Sequence, residues 1–273
     1  MIMSMPVLVL LAAGVAAAAT HPGDAVAMRS LANTTGAAKT LQWGASSPDP
    51  CGGTWVGVTG NGEGRVTASP CCRSRSAASA PSTSAPTPYS KSSTYGFFAA
   101  FPALETFNLD DNEMSTMKPW IPYDVMSCPS RRSFSAMNVH FAGGFPNYFG
   151  NATLFPELES LSLARNLLWG EITPEFGKNS KIKFLDVSQQ GHDEDARPDD
   201  VMRGVLSFVS GMPNLVEAHH EHNVFKGPLP EATNLTNLRV FDVSDNDLCG
   251  IAKFPAGVTV NVAGNPRVGT PCP

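Results

Sequence analysis

The sequence has little charge to spare. Nineteen Lys and Arg stand against 24 Asp and Glu, a formal charge of -5 over 273 residues. No field of that sign draws a chain to a phosphate backbone, which argues against nucleic acid as a partner. The six cysteines, Cys51, Cys71, Cys72, Cys128, Cys249 and Cys272, contain no pair of CxxC elements and no matched histidines, which argues against a structural zinc site. Nor is there an HRD loop, a DFG triplet, a glycine-rich phosphate loop or a GxSxG elbow. An enzyme is therefore the least expected class, and no cofactor or metal is implied. From Ala68 to Gly96 not one Leu, Ile, Val, Phe or Met occurs. A stretch dominated by Ser, Ala, Pro and Thr cannot bury enough surface to offset its ordering entropy, so 68–96 reads as a disordered linker.

The chain does have one apolar run. PVLVLLAAGVAAAA, within the first 20 residues, ends in small residues and reads as a secretory signal peptide over 1–19, cut near Ala19 or Thr20. No later run reaches transmembrane length. The expected destination is the extracellular space, where cysteines meet oxidising conditions and pair where geometry permits. Three Asn-x-Thr triplets, at Asn33, Asn151 and Asn234, are candidate glycosylation acceptors on that route.

One frame recurs from Phe107 onward: apolar, any, apolar, two any, Asn, any, apolar, any, Gly. It is clear in LSLARNLLWG from Leu161, AHHEHNVFKG from Ala218, FDVSDNDLCG from Phe241 and FNLDDNEM from Phe107. Degenerate copies begin at Phe134, Leu185 and Val260. Alternating apolar residues suit a short strand with one buried face, and a buried Asn amide can bond the open backbone groups where the strand turns away. Stacked copies then build an asparagine ladder of Asn112, Asn166, Asn223, Asn246 and Asn265, with Val139 and Gln190 standing in at two rungs. Val139 packs but cannot bond, so its rung should be weak. Rungs lie 19 to 33 residues apart, bracketing the usual leucine-rich-repeat period. The expected fold is therefore an α/β leucine-rich-repeat solenoid. It would be curved, with parallel strands on the concave face, an irregular or 3-10 convex side and an N-terminal helical cap.

The tails GEITPEF and GPLPEAT resemble the signature of plant-specific leucine-rich repeats. The segment from Asp24 to Ala68, with SSPDPCGGTWVGVTG, is similar to the amino-terminal cap of plant leucine-rich-repeat receptor-like kinases. FFAAFPALETFNLDDN, PELESLSLARNLLWGEI, MPNLVEAHHEHNVFKGPLP and FPAGVTVNVAGNP look most like their transmembrane-kinase subfamily. The resemblance implies cell-surface signalling linked to auxin and growth, with relatives at the plasma membrane. Partners would be a peptide or protein ligand, or a co-receptor ectodomain. The implied layout is a cap over 20–67, the linker over 68–96 and a solenoid over 97–273 with an acidic insert at 191–200. A free-standing secreted inhibitor of microbial wall-degrading enzymes is the alternative, and a gene remnant a third.

Two departures from that family matter. Its cap closes a small loop with a second cysteine after the WxGVx element, where this chain has Gly60, so Cys51 is left to pair with Cys71 or Cys72 or to stay free. Cys272 falls where relatives begin a cysteine-containing interruption, and is expected to lack its partner. The insert carries Asp193, Asp195, Asp199 and Asp200 without the offsets of an EF-hand, and reads as a solvated loop.

Chemistry is sought on the strand face. His219, His220, Glu221 and His222 are tempting as metal ligands, but strand alternation sends His220 into the core and its neighbours outward. The variable positions predict a ligand face of Asp110, Asp111, Ser162, Arg165, Asp186, Gln189, Glu217, His219, Glu221, His222, Asp242 and Asp245. Seven face positions are acidic against one arginine, which favours a basic or amide-rich ligand. Protonation of His219 and His222 in a mildly acidic wall space would be expected to alter affinity.

Overall fold

Apolar residues three apart drive each coil inward. Phe155, Leu158, Leu161 and Leu163 are all buried, as are Leu235, Leu238, Phe241 and Val243 further along the chain. No single coil can cover these side chains, so consecutive coils stack and share one core. A computed structural model describes residues 19–34, 42–55, 58–70, 98–111, 121, 123–191 and 196–273.

The cap contributes helix α1 (Pro22–Thr34), β1 (Thr59–Gly60) and β2 (Val66–Pro70). The coils contribute the short concave strands β3 (Thr106–Asn108), β4 (Ser133–Ser135), β6 (Ser160–Ser162), β8 (Phe184–Asp186), β10 (Glu217–His219), β12 (Val240–Asp242) and β14 (Thr259–Asn261). Past each turn run β5 (Ala142–Gly144), β7 (Leu167–Glu171), β9 (Met202–Gly204), β11 (Val224–Pro228), β13 (Asp247–Gly250) and β15 (Arg267–Val268). The return connections use 3-10 turns at Phe98–Ala100, Tyr123–Ser127, Asn147–Gly150 and Ser207–Gly211, and the four-residue helix α2 (Pro174–Gly177).

Nine strands form one sheet in the order β1-β2-β3-β4-β6-β8-β10-β12-β14, parallel except for β1 against β2. This is the expected leucine-rich-repeat solenoid. A second parallel sheet, β15-β13-β11-β9-β7-β5, occupies ground expected to be irregular. The linker boundary also shifts, because Ala68, Ser69 and Pro70 are strand residues paired with Thr106, Phe107 and Asn108. The cap is thereby joined edge to edge with the stack. Residues 71–96, the rest of the expected linker, lie outside the described residues, as do residue 97, Asn112 and His192 to Asp195.

The ladder holds the coils together. Asn166 Nδ2 donates to Leu163 O and Ala164 O of its own coil and to Ala136 O of the coil before, while its Oδ1 accepts the N–H groups of Val139 and Phe141. Asn223, Asn246 and Asn265 repeat the scheme, accepting from Met202, Phe225 and Leu248. Gln190 performs it too. Its amide donates to Leu163 O, Val187 O and Ser188 O and accepts Leu168 N–H, so one extra methylene is accommodated. Val139 is buried and bonds only through its backbone amide, which Asn166 receives at 3.3 Å. Each rung satisfies amides that would otherwise be buried without partners, at about 1–3 kcal/mol apiece.

The residue before each rung has a left-handed backbone. Asp111, Asn138, Arg165, Gln189, His222 and Asp245 have φ between 52° and 56°. Asp, Asn and His tolerate that region; Arg and Gln carry a small strain there. The turn lifts these side chains onto the rim of the nine-stranded sheet.

Two core positions break the apolar frame. Cys128, Arg131 and Phe134 stand where other coils have Phe101, Leu104 and Phe107 or Phe155, Leu158 and Leu161. Arg131 is fully buried, its guanidinium 5.1, 5.6 and 5.7 Å from the rings of Phe98, Phe107 and Phe134. Among the described residues its three nitrogens find no hydrogen-bond acceptor. Burial pulls its pKa below the usual arginine range, with Cys128 opposing in part. His220, buried in the site of Leu163 and Val243, lies against Phe208, Phe225 and Phe241 with both ring nitrogens unbonded.

Cysteine pairing departs from expectation at one end. Cys272 does have a partner, Cys249, across a 2.05 Å bond that ties the last coil to β13. Cys51 carries a free thiol aimed at Gly60, where an added Cβ would stand 2.5 Å from Cys51 Sγ and 3.0 Å from Cys51 Cβ. The position thus sits slightly inside disulfide range, and a shift of about half an ångström opens it. Gly60→Cys is expected to close a disulfide between Cys51 and the introduced cysteine, worth about 2–3 kcal/mol for a loop of roughly ten residues. Gly60→Ala is expected to destabilise the cap by collision with the same sulfur. Thiol titration and urea melts of the two variants check the opposite signs.

Candidate recognition face

The strand registers stack the predicted residues into columns. Asn108, Ser135, Ser162, Asp186, His219, Asp242 and Asn261 follow one another across neighbouring strands. Beyond the strand ends come Asp110, Ser188, Glu221 and Ser244, and then the left-handed Asp111, Arg165, Gln189, His222 and Asp245. The twelve predicted face residues therefore do lie along one side of the solenoid, though not as equals.

Three of the carboxylates are occupied by the fold. Asp186 Oδ1 accepts the Ser188 amide at 3.0 Å and hydroxyl at 2.7 Å, and Asp242 Oδ1 receives Ser244 in the same way at 2.9 and 2.7 Å. Asp110 receives the Ser135 hydroxyl, the Met137 amide and the Asn108 side chain. Burial raises the Asp186 pKa in spite of the Ser188 bonds. Burial opposes ionisation of Asp242 too, but the Ser244 bonds and the 2.8 Å bond from Asn261 outweigh it and lower that pKa. Ser162 is nearly buried, 9% exposed. Glu217, His222 and Asp245 have side chains 41%, 42% and 52% exposed.

His219 sits inside the acidic patch as its counter-ion. Its Nε2 is 2.7 Å from Glu217 Oε1, and its Nδ1 is 3.7 Å from Glu221 Oε2, an ion-pair contact rather than a hydrogen bond. Glu221 foremost, with Glu217 and Asp186 adding and burial opposing, holds the imidazolium pKa up to about 9. His219 is therefore protonated at pH 5 and at pH 7 alike, which corrects the expectation that it switches between them. His222 Nδ1 lies 3.3 Å from Asp245 Oδ2. His220 points to the opposite side of the strand, so the three histidines do not converge. Among the described residues Arg165, exposed between the Asp111 and Asp245 ends, forms no ion pair.

Asn138 and Asn261 belong to the face and were not among the expected residues. Asn138 Nδ2 donates to Asp111 Oδ1 at 3.0 Å. The degenerate copies of the repeat frame from Phe134 and Val260 place both. The candidate acceptors Asn151 and Asn234 are exposed in connections outside the concave strands, and Asn33 falls within α1. Of the insert, Asp199 meets Arg203 at 3.2 Å and Asp200 accepts the Arg197 amide.

No protein-family model matches the chain. It is 30% identical over 157 residues to Receptor-like kinase TMK2 of Arabidopsis thaliana, an alignment covering 57% of this chain and 16% of that protein. The crystal structure of PEPR1-AtPEP1 aligns over 89% of this chain and 31% of that one, with a TM-score of 0.58 and 17% identity. The ectodomain of the plant membrane receptor kinase GASSHO1/SCHENGEN3 from Arabidopsis thaliana, in complex with CASPARIAN STRIP INTEGRITY FACTOR 2, aligns over 89% and 30%, with a TM-score of 0.59 and 17% identity. The chain thus spans about a sixth of the curated relative and under a third of either solved chain. These likenesses give the chain the leucine-rich-repeat solenoid fold.

Proposed function

We propose that this chain is a non-enzymatic extracellular recognition module that binds an extended peptide with basic residues at two separated points along its concave face. The carrying observation is the layout of charge. Asp111 lies at the β3 end and Asp245 at the β12 end, with Glu217 on the neighbouring β10, and Arg165, which forms no ion pair among the described residues, stands between the two ends. The five strand steps from β3 to β12 cover about 24 Å, which roughly seven extended residues span. A ligand with cations at both ends and an acceptor at its centre matches that pattern, and wrong partners are rejected by like charge.

Similarity to two solved complexes supports a binding role. Exposure of Asn151 and Asn234 is compatible with glycans there that leave the strand face clear, on a secretory route opened by the first 19 residues. No helix among the described residues is long and apolar enough to cross a membrane.

A displayed library of random octapeptides, selected on the full chain, tests the reading. Enrichment of peptides bearing Arg or Lys near both ends is expected. The variant Asp111→Asn/Glu217→Gln/Asp245→Asn, with unchanged circular dichroism, should bind them at least tenfold more weakly, and raised salt should do the same to the parent. Selected peptides without basic residues, or binding indifferent to the triple change, would refute it.

A further inference from the structure

The amino end of the described chain is knotted into the cap at a single residue. Thr20 N lies 3.2 Å from Asp49 Oδ1, and its hydroxyl bonds the same oxygen. The Cys51 amide donates to Thr20 Oγ1 at 2.7 Å and to Asp49 Oδ1 at 3.2 Å. His21 N–H then bonds Gly64 O at 2.8 Å, and α1 starts at Pro22. The Thr20 hydroxyl and amide hold the Asp49 carboxyl below its usual pKa. Ala19, by contrast, is exposed. The sequence just before Thr20 is Ala17-Ala18-Ala19, with the small residues at first and third place that a leader peptidase requires.

We propose that a leader peptidase cuts between Ala19 and Thr20, and that Asp49 binds the α-ammonium group this cut creates. Water adds across the Ala19–Thr20 amide: the leader departs with a carboxylate on Ala19, and Thr20 keeps the nitrogen as an ammonium. The nitrogen already stands within ion-pair distance of Asp49, so a neutral amide donor becomes a charge-assisted one without movement. Removal of the leader thereby completes the cap rather than merely trimming it. The contribution needs the charged ammonium, so it is present below about pH 7.7 and fades as pH climbs well above it.

The experiment has two arms. The full-length chain is expressed in eukaryotic cells, and the exported product is read by mass spectrometry; Thr20 is the expected first residue. The chain from Thr20 is then compared with its Nα-acetylated form, each with Asp49 and with Asp49→Asn. Cap opening in urea is followed through the Trp43–Trp55 pair, whose stacked rings lie 5.2 Å apart inside the cap. Acetylation should raise the opening constant about threefold to tenfold at pH 6 with Asp49 present, and leave it unchanged in the Asp49→Asn protein, whose side chain is neutral there. A product beginning elsewhere, or an acetylation effect of equal size in both proteins, would overturn the proposal.

Discussion

Arg131→Leu is expected to raise the stability of the stack by about 2–4 kcal/mol. The guanidinium occupies a leucine position between three phenylalanine rings, and its nitrogens meet no acceptor among the described residues. Cation–π attraction to desolvated rings returns about 2 kcal/mol, whereas taking an unpaired charge out of water costs several. Leucine is what Leu104, Leu158, Leu215 and Leu238 supply at the equivalent place, all of them buried. Urea unfolding of the two proteins measures the gain. Arg131→Lys should go the other way, since a compact ammonium is more strongly hydrated and cannot spread its charge over the rings. A loss of stability in Arg131→Leu would mean that the guanidinium has a partner that matters.

His220→Leu is expected to remove most of the chain's acid sensitivity. Burial among Phe208, Phe225 and Phe241, with the His219 charge adding, pushes the folded pKa of His220 down to about 3. The unfolded chain protonates this residue near pH 6.5, so below that value it binds a proton the folded chain refuses. Stability is full above pH 6.5 and drains as pH falls toward 3, by about 1.4 kcal/mol per pH unit and about 5 kcal/mol in all. Melts at pH 7, 5.5 and 4 should show the parent falling steeply and His220→Leu nearly flat by comparison. At pH 7 the variant should already gain about 1–3 kcal/mol, because two buried ring nitrogens without partners disappear. His219 acts in the opposite sense: its raised value of about 9 means that its ion pairs with Glu217 and Glu221 weaken only as pH rises toward 9.

These two residues mark where the sequence was readable and where it was not. The alternation around AHHEHN placed His220 inside and His219 outside, and both lie there. Arg131 follows from the same three-residue frame through Cys128 and Phe134, yet a search for apolar periodicity passes over a charged residue in a core position. The asparagine spine was legible because a side-chain amide offers two N–H donors beside a carbonyl acceptor; the same requirement let Gln190 replace Asn, which its residue type allows. The second sheet was not. Its strands, such as Met202–Gly204 and Ala142–Gly144, are short and show no alternation, so their pairing is imposed by the stack.

On the recognition face, composition counted seven carboxylates as one field. Local chemistry divides them: an Asp two residues before a Ser, as in Asp186–Ser188 and Asp242–Ser244, turns its oxygen to the backbone, while Glu217 and Asp245 remain outward. That pattern was present in the sequence and its meaning depends on the turn that follows the strand. The pairing of Cys272 with Cys249 was not deducible, because spacing alone does not select partners.

Side-chain amides lock the coils into one rigid surface, and every other property of the chain rests on that lock. Amide hydrogen exchange tests it most directly, through the N–H groups of Phe141, Leu168, Met202, Phe225 and Leu248. They should exchange slowly and as a group, alongside the concave strands, because Asn166, Gln190, Asn223, Asn246 and Asn265 hold them. Fast, independent exchange at these five positions, at the pace of the exposed turns, would contradict it.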